Sequence, residues 1–118
     1  MKKIYLLTLT ALLSLAATAQ IPNSNLEDWT SQGTYETPDS FDTPNTLLGG
    51  FGIATVLKST DAYQGDYAAR LETKYFALGG INVPGAITNG RIVLDANNYP
   101  ILIGGRSFTA RPEKLTFY

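Results

Sequence analysis

One stretch limits the fold of this chain more than any other. Residues 52–57 (GIATVL) are apolar and rich in β-formers, and a polar run centred on Gly65 follows them. Tyr67, Ala69 and Leu71 then alternate with Ala68, Arg70 and Glu72. A period of two belongs to a strand, which turns one set toward the interior and the other toward solvent or a second layer. Gly65 supplies a backbone free to take positive φ, and Asp61 and Asp66 carry side chains that hydrogen-bond a turn locally. The run therefore predicts a strand, an acidic corner and a returning strand. Beyond the first nineteen residues no window keeps a helical apolar period.

The remaining segments follow the same pattern. Residues 21–29 (IPNSNLEDW) predict a turn and the start of a strand anchored by Leu26 and Trp29, and residues 30–48 predict a loop anchored by Phe41. Residues 49–52 (GGFG) predict a hinge before a strand over 53–57. Pro84-Gly85 marks a turn or bulge. Residues 91–95 (RIVLD) predict a compact strand, Asn97-Asn98 a turn, and residues 101–103 a further short strand. A last strand is expected over 115–118. Short strands with frequent turn signals indicate a β-sandwich.

The first nineteen residues predict an export signal. Lys2 and Lys3 precede a mostly apolar run over 4–16, and Ala17-Thr18-Ala19 forms a small-x-small cleavage site before Gln20. The run is short for a membrane span, which takes about 20 apolar residues. The organisation expected is thus a signal over 1–19 and a β-domain over 20–118, secreted or held at the cell surface, with membrane contact only through the signal.

Cleavage removes Lys2 and Lys3 from the nine basic residues and leaves seven against ten acidic ones, a net charge of about −3. No basic stripe exists for a nucleic acid. The chain contains no cysteine and no histidine, which excludes disulfides, thiolate or imidazole metal sites and Ser-His-Asp catalysis within it. Any cation here would be a hard one held by oxygen.

Four ordered blocks carry a resemblance: residues 21–29, residues 61–73 (DAYQGDYAARLET), residues 84–90 (PGAITNG) and residues 105–118 (GRSFTARPEKLTFY). Together they resemble the front part of PCMD, a carbohydrate-metabolism domain of secreted Bacteroidetes proteins. The resemblance implies an all-β, galactose-binding-like jelly-roll β-sandwich, incomplete in this chain. It further implies a larger exported protein with neighbouring domains and a glycan as ligand. By position it places a structural calcium at Glu27, with Asn23 nearby and carbonyls around 65–67 as partners.

Sugar sites combine aromatic faces with a few orienting polar groups. Trp29 and Tyr67, in strand context, are expected in the core, whereas Tyr35, Tyr63, Tyr75 and Tyr99 lie near turns. Tyr75 and Tyr99, with Arg91 and Asn98, form the expected glycan-facing set. Hydrolysis of a glycoside needs two carboxylates across a cleft, and the many acidic residues fall mostly at turns, so no catalytic residue is assigned. The alternative to a glycan-binding domain is a structural or adhesive sandwich without a glycan ligand. Amino-terminal sequencing of the exported chain is expected to start at Gln20; a product that keeps Met1 contradicts the export reading.

Overall fold

The computed structural model describes residues 21–107, so the expected signal peptide and the expected strand over 115–118 lie outside the described residues. The architecture is mostly β, in small antiparallel sheets with one short helix. Eight strands pair in sequence order as four two-stranded ribbons. Strand β1 (Trp29–Ser31) pairs with β2 (Glu36–Pro38), and β3 (Val56–Ser59) pairs with β4 (Ala68–Leu71). Strand β5 (Lys74–Phe76) pairs with β6 (Ile81–Val83), and β7 (Arg91–Leu94) pairs with β8 (Pro100–Ile103). Helix α1 (Asn45–Leu48) runs into a 3₁₀ turn (Gly49–Phe51) that ends on Gly52 at φ 74°.

An isolated two-stranded ribbon is marginal in water, so the links between ribbons decide whether these stand. Most of the links are polar. Asn45 is fully buried; its Oδ1 accepts from Thr55 N at 2.8 Å and Val56 N at 3.1 Å, and its Nδ2 donates to Val56 O at 2.6 Å. The amide thereby stands in for a neighbouring strand at the head of β3. Asp42 ties the helix region to two later segments. Its backbone exchanges two hydrogen bonds with Thr88 at 2.7 and 3.0 Å, and its Oδ2 accepts from Ile92 N at 2.8 Å. Strand β2 lies beside β3, where Lys58 Nζ donates to Glu36 Oε1 at 2.6 Å and sits 4.9 Å from the Tyr67 ring centre. The Glu36 hydrogen bond holds the Lys58 ammonium above the ordinary lysine pKa, against a smaller opposing effect of desolvation.

The buried centre is compact and unusually polar. Val56, at 1 % exposure, and Ile92 are its apolar members, and Thr43, Asn45 and Thr55 are fully enclosed beside them. Gly85 closes one side, because a Cβ there would meet Thr55 O at 2.6 Å and Glu72 N at 2.7 Å. Many large apolar side chains stay exposed, among them Phe51, Leu71, Leu78 and Leu102.

Three expectations change. The strand foreseen over 53–57 begins at Val56 and runs on to Ser59, because the Asn45 amide takes the N–H groups of Thr55 and Val56. The loop foreseen over 30–48 holds the ribbon β1–β2 and helix α1. The face shared by Ala69 and Leu71 in β4 is that of Val56, yet Leu71 is 50 % exposed. Alternation fixes the side a residue points to, not how far that side is covered. The strands over 91–95 and 101–103 and the Asn98 turn agree with the sequence reading; Asn98 takes φ 63°.

Replacing Asn45 with alanine leaves two N–H groups and one carbonyl unpaired in the centre. Urea unfolding is expected to show a loss of about 2–4 kcal/mol. A loss under about 1 kcal/mol would mean that β3 does not depend on this amide.

Candidate functional site

Two of the depressions on the described surface differ in chemistry. The first lies where the turn over 21–25 meets the loop that joins β3 to β4. Trp29 pins that turn by donating Nε1–H to Leu26 O at 2.6 Å, and Leu26 takes φ 59°. This geometry presents Glu27 to the acidic corner around Gly65, which takes φ 80°. Both carboxylate oxygens of Glu27 accept from Asp66 N at 3.1 Å, and Oε1 also accepts from Tyr67 N at 3.4 Å. Gly65 is required twice: its φ disfavours a side chain, and a Cβ would collide with Glu27 Oε1. Asn25, Glu27, Gln64 and Gly65 line a cleft of 370 Å³ at this corner.

The second depression is a larger, open groove of 680 Å³ between the last two ribbons and the helix region. Phe76, Ile81 and Val83 form one wall, and Ile92, Leu94 and Leu102 form the other. Asn98 and Tyr99 stand at its rim. Among the described residues no charged side chain lines it.

The expected calcium set meets the corner only in part. Glu27 does reach the 65–67 turn, where its oxygens accept from the backbone N–H groups of Asp66 and Tyr67. Asn23 is likewise engaged: Oδ1 accepts from Asp28 N at 3.0 Å, and Nδ2 donates to Asp28 O at 2.8 Å and Asp39 O at 2.9 Å. Calcium needs six to eight oxygens, and among the described residues no three acidic side chains converge on one point. The corner is held by hydrogen bonds.

The expected glycan-facing set is dispersed. Asn98 and Tyr99 share the β7–β8 turn, held by Asp95, whose Oδ1 accepts from Asn97 N and Tyr99 N at 2.8 Å each. Arg91 sits at the opposite end of the same ribbon, paired with Ile103. Tyr75 lies on β5 across from Asn82 and does not line the groove. Tyr75 is 62 % exposed as a residue, Tyr99 67 % and Tyr63 74 %. Tyr35 instead packs on Gly49, and Tyr67 packs on Lys58. Sequence reasoning missed Asn25 and Gln64. Their only signal was proximity to Glu27 and Gly65, and an amide at a turn is ordinary turn chemistry.

Comparison with known protein families, characterised proteins and solved structures finds no match for this chain.

The glycine and the carboxylate are expected to be coupled. Gly65→Ala should cost about 1–3 kcal/mol through strain at positive φ and the clash with Glu27. In a Glu27→Ala background the clash disappears, and the same change should cost measurably less. Equal costs in the two backgrounds of a double-mutant cycle would show that Glu27 does not pack on Gly65.

Proposed function

We propose that this chain is a non-catalytic, glycan-binding β-domain, the front part of a larger exported protein with a galactose-binding-like jelly roll. The observation that carries the reading is the trio of solvent-facing tyrosines, Tyr63, Tyr75 and Tyr99, set on loops and ribbons outside the buried centre. An aromatic face set in solvent offers the apolar side of a sugar ring its natural partner.

The absence of catalysis in this reading is supported by what six of the described carboxylates do. Glu27 holds the Gly65 corner, Glu36 pairs with Lys58, and Asp39 accepts from Thr30 Oγ1 at 2.7 Å. Asp42 accepts from Thr43 N, Thr46 Oγ1 and Ile92 N, and Asp95 holds the β7–β8 turn. Glu72 pairs with Arg70 and Lys74. Each of these is engaged in holding a turn or joining segments. A hydrolase needs two carboxylates facing one sugar.

The aliphatic groove favours a second reading, a structural module packed on neighbouring domains. A groove so poor in hydrogen-bonding groups suits apolar side chains better than hydroxyls. The apolar surface left exposed around it supports membership in a larger assembly.

A glycan array probed with the exported chain is the decisive measurement. Saturable binding to a subset of glycans, with no release of shortened products, is the expected outcome. Binding to none leaves the structural reading, and product release would establish a hydrolase.

A further inference from the structure

We propose that the sugar seat is the polar cleft at the Glu27–Gly65 corner, and that it takes one neutral pyranose residue through a pair of adjacent hydroxyls. This rests on the glycan-binding reading above and names its site and ligand class.

The first support is the state of the two amides. Asn23 and Asn45 bond to backbone groups through both the oxygen and the nitrogen of the amide, whereas the side chains of Asn25 and Gln64 make no hydrogen bond to other described residues. Both line the same 370 Å³ cleft. An amide donates and accepts at one end, and so does a hydroxyl. Two amides contributed by separate segments therefore match two neighbouring hydroxyls.

Rigidity is the second support. The two segments that carry these amides are locked together by the Glu27 bonds to Asp66 N and Tyr67 N. A seat that is already assembled loses little freedom when a ligand arrives. Glu27 keeps unused lone pairs beside the amides and offers a further acceptor for a sugar hydroxyl.

Charge selects the class. No lysine or arginine lines the cleft, while Glu27 lines it and Asp66 adjoins it in the chain. Uronic acids and sulfated sugars would meet negative charge without compensation. Among the described residues no three acidic side chains converge on a point that could hold a cation. The volume sits at the low end of the roughly 300–1,000 Å³ typical of ligand sites, which suits a single ring at a chain end. Tyr63, directly before Gln64 on the same loop, is the aromatic group nearest in sequence.

The test uses the exported chain and the neutral glycans it retains on an array, followed by titration of the best one. Asn25→Ala and Gln64→Ala are each expected to weaken that binding about three- to tenfold, with thermal unfolding unchanged, because both side chains are exposed and bond to no other described residue. Leu78→Ala, exposed and outside both depressions, is expected to leave it unchanged. Binding that falls in Tyr99→Ala but not in Asn25→Ala or Gln64→Ala would overturn the site while preserving the glycan-binding reading. A preference for acidic glycans would overturn the ligand class. Retention of no glycan at all would remove the reading on which the site rests.

Discussion

The side-chain amide of Asn45 is the interaction on which the rest depends. It reaches from the start of α1 to the first residues of β3 and satisfies three backbone groups inside a centre closed to water. A buried N–H without a partner costs about 1–3 kcal/mol, and among the described residues β3 has no strand beyond β4 bonded along its length. Without the amide, the head of β3 would need water where water does not reach. With it, Val56 packs into the centre, and Glu36 and Lys58 join the first two ribbons along their adjacent edges.

The same solution recurs elsewhere in the molecule. Where a larger sandwich would use continuous ladders, these ribbons are joined by side chains that accept from backbone N–H groups. Asp42 does this for β7 through Ile92, and Glu27 does it for the corner that leads into β4. Such contacts are directional and set the angle between segments. They leave the apolar faces of the ribbons largely uncovered, and the long groove between β5–β6 and β7–β8 follows from that.

The two depressions follow from one division of labour. Turn-rich segments near the start of the described chain meet at a polar corner, because Asn, Gln, Asp and Gly are the residues that make turns. The later ribbons carry Ile, Leu and Val at strand positions and make an aliphatic trough. A hydroxyl-rich ligand and an apolar partner would thus find different surfaces on one module.

Local chemistry alone determined the β character, the Gly65 corner, the β7–β8 ribbon and its Asn98 turn. Each rests on residues close in sequence: a period of two, a glycine at positive φ, an Asp that caps its own turn. Helix α1 was not legible, because four residues (NTLL) are too few to show a helical period. Nor were the limits of β3, which an amide eleven residues from Val56 decides. The tertiary structure alone separated Tyr75 and Arg91 from Asn98 and Tyr99, gave Glu27 to backbone N–H groups, and set Asn25 beside Gln64. A strand reports the side on which a residue lies, but contacts between segments far apart in the chain depend on how the ribbons are joined. Here single buried or half-buried polar side chains join them, and they carry no periodic signal.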